Sequence, residues 1–189
     1  MISHGAASIG LGHHRRSERR RNRRLLHRFR SHPDQGRRLS STDGGEQLRI
    51  VYAPTRRLVE LVVGADNTDD VDRVEHELRA GGFLATRNGD EVVAEEPIAG
   101  IRAIVRVAPR IVQSPFSASP YNGPGRIDRL GRAPGVVRET PTRPRKLGHA
   151  VIGSTDYEAT RRFFVGGLGF KVSDHIKGHG SFLRCSVDH

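Results

Sequence analysis

The feature that most constrains the fold of this chain is an internal repeat. The segments LVELVVGADNTDDVDRVEHELRAGGF (residues 58–83) and LGHAVIGSTDYEATRRFFVGGLGF (residues 147–170) share the same order of signals. Each has an opening leucine, a glycine six residues later, a polar helix cap, a helical pattern and a closing glycine-phenylalanine pair. Such self-similarity predicts two copies of one supersecondary unit.

The first copy and its flanks show the strand and helix periods of an α+β fold. Alternating apolar residues predict strands at 46–54 and 57–64. The period then becomes helical, with Val71, Val74 and Leu78 on one face. Acidic residues in the first turn suit the positive end of the helix dipole.

The rest of the first copy predicts three more strands. Glycines at 81 and 82 end the helix, and an Asn-Gly-Asp turn at 88–90 joins two short strands. Residues 100–109 alternate as a last strand. The first copy is therefore predicted to be a complete βαβββ module.

The second copy predicts the same opening. Thr155 and Glu158 have the spacing of a capping box at the start of a helix, with Thr155 as the cap. The helix would present an apolar face made of Tyr157, Phe164 and Leu168. The stretches FKVSDHI and SFLRCSV then predict two strands. A fourth strand would follow, but the sequence ends at His189, so this module is predicted to be incomplete.

The arginine-rich segment 1–44 is predicted to be a disordered arm. Residues 1–40 contain 11 arginines and two acidic residues, and so carry +9 of the net charge of +11. Their composition cannot bury enough apolar surface to offset the entropy of ordering. Clustered arginine suits phosphate binding, but the interleaved aromatic residues of a single-strand binder are missing. The arm therefore argues only weakly for a nucleic acid partner.

The remaining chain divides into three predicted parts. Residues 45–109 hold an end-strand, which resembles the last strand of a preceding module, followed by the complete module. Residues 110–145 are rich in proline, glycine and arginine, which predicts an irregular connector. Residues 146–189 form the incomplete module.

Targeting signals are weak, and we expect a cytoplasmic protein with no membrane partner. The N-terminal residues lack the basic start and apolar stretch of a signal peptide. No segment approaches the roughly 20 apolar residues of a membrane span. The single cysteine, Cys185, excludes an internal disulfide and fits a reducing compartment. We expect this thiol to be half-buried on a strand rather than a nucleophile.

His149 is the candidate metal ligand. It follows Gly148 near the start of a predicted strand and would share a face with Leu147 and Val151. A lone histidine on a strand is more often structural than a ligand. Glu60 occupies the equivalent position in the first copy, which shows that the position accepts polar side chains.

The βαβββ repeat containing LGHAVIGSTD, FFVGGLGFKVSD and SFLRCSVDH in that order resembles the vicinal oxygen chelate (glyoxalase/bleomycin resistance/dioxygenase) superfamily. Within it, the likeness is to the two-domain extradiol ring-cleavage dioxygenases, over roughly residues 45–189. The resemblance implies Fe(II), or Mn(II), held by two histidines and one carboxylate, with an aromatic diol as substrate. It also implies a metal-binding oxidoreductase of aromatic compound catabolism, in which His149 matches the first metal-ligating histidine, and allows a homo-oligomer.

The resemblance also implies residues that this sequence does not contain. The histidine that serves as acid and base is expected just after His189, and the other two metal ligands are expected later still. His189 and His175 are candidates for contact with substrate or with the metal's ligands, and His179 is a weaker one. We therefore expect this chain, which looks truncated, not to cleave catechols by itself. The alternatives are a glyoxalase-like metal enzyme and a non-catalytic ligand-binding protein of the same fold.

Overall fold

The computed structural model describes residues 4–11, 37–113 and 144–186. In chain order the elements are β1 (His4–Leu11), β2 (Arg37–Ser41), β3 (Gly45–Tyr52), β4 (Arg57–Ala65), α1 (Thr68–Ala80), β5 (Ala85–Asn88), β6 (Glu91–Glu96), β7 (Ile101–Val107), α2 (Tyr157–Arg162), a π-helical turn (Phe163–Gly167), β8 (Lys171–Ile176) and β9 (Gly180–Arg184).

The first seven strands form one sheet with an approximate internal two-fold symmetry. The strand order is β2-β3-β1-β4-β7-β6-β5. The central strands β1 and β4 are antiparallel to each other, and each has a parallel neighbour, β3 beside β1 and β7 beside β4. β2 and β6 then run antiparallel to those neighbours. The succession β4-α1-β5-β6-β7 confirms the predicted complete βαβββ module.

Part of the predicted disordered arm is instead structured. Residues 4–11 and 37–41 form β1 and β2, while the arginine-rich stretch between them lies outside the described residues. β1 occupies the centre of the sheet, where its backbone pairs with β3 on one side and β4 on the other. Composition could not show this, because the stabilising hydrogen bonds come from strands distant in sequence. β1 is the parallel partner of β3, as β4 is the parallel partner of β7.

Helix α1 begins and ends as its sequence predicts. The side chain of Asn67 caps the first turn by accepting a hydrogen bond from the backbone N–H of Asp70 at 2.9 Å. The predicted face is buried on the sheet through Val71, Val74 and Leu78. The facing sheet residues of the core are Leu61, Val63, Ala65, Val92, Ala94, Ile101, Ala103 and Val105.

The second copy adds its helical segment to this same core, with two corrections to the prediction. The cap of α2 is Asp156, not Thr155, because the Asp156 carboxylate accepts the backbone N–H of Ala159 at 3.0 Å. The buried face is also wider than predicted. Phe163 joins Phe164 and Leu168 in the core because the chain leaves the α-helical period for a π-helical turn.

Aromatic rings and one glycine make the contact between the two copies close. The ring of Phe163 meets Phe83 edge-on at a centroid distance of 5.1 Å and Phe164 at 5.4 Å. A Cβ atom built on Gly167 would lie 2.7 Å from Cδ2 of Leu78 on α1. Glycine at 167 therefore allows the π-helical turn to approach α1.

The strands β8 and β9 form a separate two-stranded antiparallel sheet, as predicted for the region after the helix. Among the residues that the structure describes, no helix has the length and apolar character needed to cross a membrane.

Candidate functional site

His149 lies in an irregular, exposed segment rather than in the predicted strand. Residues 147–154 carry no strand, and Val151 in the same segment is 95% exposed. The strand prediction for this segment is wrong for a physical reason. An alternating pattern becomes a strand only when another strand offers its backbone, and no described strand pairs with these residues.

The other candidate histidines are spread over the hairpin. His175 is exposed on β8 and pairs in register with Ser181 of β9. His179 is exposed in the turn between these strands, where its Nδ1 lies 2.9 Å from the carbonyl oxygen of Lys177. His189 lies outside the described residues.

Residues 4–11, 37–113 and 144–186 do not bring together the three ligands that the implied metal needs. No three His, Cys, Asp or Glu side chains there converge on a point where they could hold a metal ion. The described residues thus do not fit an Fe(II) or Mn(II) centre of the expected kind, which needs three ligands at fixed geometry. His149 remains a candidate ligand by its resemblance alone.

The segment that leads into His149 is anchored on the β2–β3 hairpin. The backbone N–H groups of Thr42 and Asp43 donate to the carbonyl oxygens of Pro144 and Arg145 at 3.0 and 2.9 Å. The Arg145 guanidinium also donates a hydrogen bond to the Asp43 carboxylate, with 2.8 Å between Nε and Oδ2. Because the Asp43 side chain is almost fully enclosed, this ion pair is shielded from solvent.

A buried glutamine completes this anchor. Gln47 on β3 accepts the backbone N–H of Leu147 at 2.6 Å and the hydroxyl of Ser41 at 3.0 Å through the same side-chain oxygen. The second copy therefore begins at a fixed place on the first half of the sheet, two residues before His149.

A buried carboxylate anchors the segment at its other end. Glu96, at the end of β6, is 0% exposed and accepts the backbone N–H groups of Ile98 and Ala99. It also accepts the hydroxyl of Thr160 on α2 at 2.8 Å. The Thr160 oxygen lies 2.7 Å from the hydroxyl of Ser154, so the network reaches the end of the exposed segment.

Sequence reasoning missed this network, although one signal was available. In the strand EVVAEE the alternation places Glu96 on the same face as the buried Val92 and Ala94. A charged residue at a core position of a strand predicts a structural or functional network.

The sheet face opposite α1 carries a row of charges. Glu60 lies between two arginines, with its carboxylate oxygens 3.4 Å from Arg49 and 2.9 Å from Arg102. Glu60 pairs in register with Arg102 on the adjacent strand β7, whereas Arg49 lies on β3, one strand further away across β1. The position equivalent to His149 in the first copy therefore holds an ion-paired carboxylate.

Cys185 has the character expected of a structural thiol. It directly follows β9, is half-buried, and packs against the core. Burial raises the pKa of the Cys185 thiol, which lowers the thiolate fraction at neutral pH. These properties argue against a nucleophilic role.

Asp66, which directly follows β4, has a clearly lowered pKa. Arg110 donates two hydrogen bonds to its carboxylate, at 2.9 and 2.6 Å. This pairing lowers the pKa of Asp66 to about 2 from its ordinary value near 3.8. The pair joins the residue that follows β4, the first strand of the βαβββ module, to the start of the predicted connector.

Replacing Arg110 with glutamine is expected to raise the pKa of Asp66 toward its ordinary value. Because the folded pKa is the lower one, the pair stabilises the fold above about pH 4, and this stability is lost as the pH falls toward 2. Carboxyl NMR titration of Asp66 measures the shift, and acid unfolding should begin at a higher pH in the variant. Arg106→Gln, which changes an exposed arginine of β7, should leave the Asp66 titration unchanged.

Comparison with known proteins gives matches through structure only. No protein-family model and no curated protein matches the sequence. A Mn(II)-bound glyoxalase from Novosphingobium aromaticivorans aligns over 95% of this chain, with a TM-score of 0.55 and 17% identity. The 2,3-dioxygenase LapB from Pseudomonas sp. KL28 aligns over 98%, with a TM-score of 0.56 and 18% identity. BphC, a halotolerant catechol dioxygenase, aligns over 97%, with a TM-score of 0.53 and 15% identity.

The chain spans between about half and two thirds of these structures. The alignments cover 56% of the glyoxalase, 66% of LapB and 61% of BphC. At this level of identity the match concerns the fold, and it agrees with the strand order found in the first βαβββ module. The predicted resemblance is confirmed at that level: the chain has the vicinal oxygen chelate fold found in glyoxalases and extradiol dioxygenases.

Proposed function

We propose that this chain is a protein of the extradiol dioxygenase type whose ligand class is a catechol-like aromatic diol. We further propose that its 189 residues do not cleave the ring by themselves. Two of the matched structures are dioxygenases, one of them a catechol dioxygenase, which supports the ligand class. The sequence resemblance supports it independently.

The observation that carries the second part is the position of His149. Extradiol chemistry needs a metal with open coordination positions, held by two histidines and a carboxylate. The single matching histidine, His149, lies in an exposed segment. No pair of further metal ligands lies close to it among the described residues. When bound in such a triad, the metal would activate the diol and dioxygen; a single imidazole supplies too little affinity to hold it.

The test is a ring-cleavage assay on the purified chain supplied with Fe(II), catechol and dioxygen. We expect no ring-opened product above the level given by Fe(II) alone, and no difference between the wild-type chain and a His149→Ala variant. Ring-opened product that depends on the protein and disappears in His149→Ala would contradict the proposal. Binding of catechol, followed by calorimetry without metal, tests the ligand class separately from the reaction.

A glyoxalase-like activity is the second candidate, because one matched structure is a glyoxalase with bound Mn(II). It would also require metal ligands beyond His149. A glyoxalase assay with added Mn(II) separates the two candidates, since only the second predicts turnover of a hemithioacetal. Catechol binding without turnover in either assay is the result that the first proposal predicts. The absence of both turnover and catechol binding would instead favour a non-catalytic protein of the same fold that binds another ligand.

A further inference from the structure

The outer edge of β9 has no strand paired with it in the described part of the chain. β9 pairs with β8 only, in a two-stranded sheet. The equivalent hairpin of the first copy, β5–β6, is extended by β7, which runs antiparallel to β6. A two-stranded hairpin standing alone is marginally stable in water, so this edge has a structural need for another strand.

The two edges of the hairpin differ in their chemistry. β8 carries the charged residues Lys171 and Asp174, and charged side chains on a strand discourage pairing with another chain. β9 has the sequence GSFLR, in which only the last residue is charged. The edge of β9 is therefore the unprotected one.

The exposed face of the hairpin carries two large apolar side chains. Phe182 is 57% exposed and Ile176 is 56% exposed. Both project away from the face of Leu183, which packs against the core. In register, Ile176 pairs with Gly180, so Ile176 and Phe182 lie diagonally across the hairpin.

We propose that the outer edge of β9 pairs, in antiparallel orientation, with β9 of a second copy of this chain. Pairing centred on Phe182 places each Phe182 opposite the other and each Arg184 opposite Gly180 of the second copy. Large apolar side chains then cover each other, and no like charges meet. The product is a two-fold symmetric, four-stranded sheet with the charged β8 strands outermost.

The orientation follows the first copy, where the strand added beside β6 is also antiparallel. β9 contributes only five residues to the pairing, so the dimer is reversible and its fraction rises with concentration. The proposal is independent of the proposed function, because it involves neither a metal nor a diol.

Sedimentation velocity of the full chain over a wide range of concentration tests this pairing. We expect the dimer fraction of the wild-type chain to rise with concentration, and Phe182→Lys to remain monomeric throughout. Ile176→Lys is the matched control, because it introduces the same charge at similar exposure but on β8, and it should dimerise like the wild type. A wild-type monomer at every concentration overturns the proposal, and so does a dimer that Phe182→Lys leaves intact.

Disulfide trapping gives a second test that does not require the lysine variant to fold. In a Cys185→Ser background, Phe182→Cys should form an intermolecular disulfide under mild oxidation, because the two side chains lie directly opposite. Ile176→Cys in the same background should not crosslink to a comparable extent. Equal crosslinking of the two variants, or crosslinking at 176 alone, contradicts the register.

Discussion

Replacing Phe163 with alanine is expected to lower the free energy of unfolding by about 3–5 kcal/mol. Phe163 is 0% exposed and contacts the rings of Phe83 and Phe164 edge-on, so truncation leaves a cavity between the two copies. Domains of this size have total stabilities of roughly 5–15 kcal/mol, so the loss is a large fraction of the whole. Chemical denaturation followed by circular dichroism measures it.

The matched control for Phe163 is Leu84→Ala. Leu84 is 93% exposed next to Phe83, and its truncation should change the stability by less than about 0.5 kcal/mol. Equal and small effects of the two substitutions would show that the second copy does not pack on α1 as described.

Replacing Glu96 with alanine is expected to cost about 2–4 kcal/mol of stability, because it leaves buried donors without their acceptor. The N–H groups of Ile98 and Ala99 and the hydroxyl of Thr160 all donate to this carboxylate. The loss should be seen as a lower midpoint of urea unfolding. Glu95→Ala, one residue earlier and exposed, should be nearly neutral.

A double-mutant cycle isolates the bond between the two copies. If Glu96 holds α2 through Thr160, the effects of Glu96→Ala and Thr160→Val should not add, with a coupling energy of about 0.5–3 kcal/mol. Additive effects would show that the hydrogen bond contributes nothing to stability, and that Glu96 acts only within its own turn.

The first copy was predictable from local pattern because its signals agree with its tertiary contacts. The face of Val71, Val74 and Leu78 has the helical period, and it is the face that packs on the sheet. Asn67 caps a helix whose acidic first turn already marks its start. Where local preference and burial favour the same structure, the period alone locates the element.

The errors occur where distant partners decide the structure. β1 is a strand because it pairs with β3 and β4, and the sequence of residues 4–11 does not indicate those partners. The opposite error occurs around His149, where a strand-like pattern has no described strand to pair with. Backbone hydrogen bonding between strands is non-local, so a sequence window cannot decide either case.

The candidate site was predicted only in part for a related reason. The resemblance located His149, but the contacts that fix its segment come from Gln47 and Glu96, which lie far away in sequence. The π-helical turn that buries Phe163 also departs from the regular period on which the helix prediction rested. Such contacts become visible only when the strands and helices are assembled.

The central claim is that this chain has the vicinal oxygen chelate fold and that its described residues assemble no metal site around His149. Titration of Mn(II) into the full chain, followed by the electron paramagnetic resonance signal of the free ion, tests it most directly. We expect the wild-type chain and His149→Ala to reduce the signal equally, because only weak surface binding should occur. Stoichiometric loss of the signal in the wild type that His149→Ala abolishes would contradict it, and would show that a complete site forms around His149.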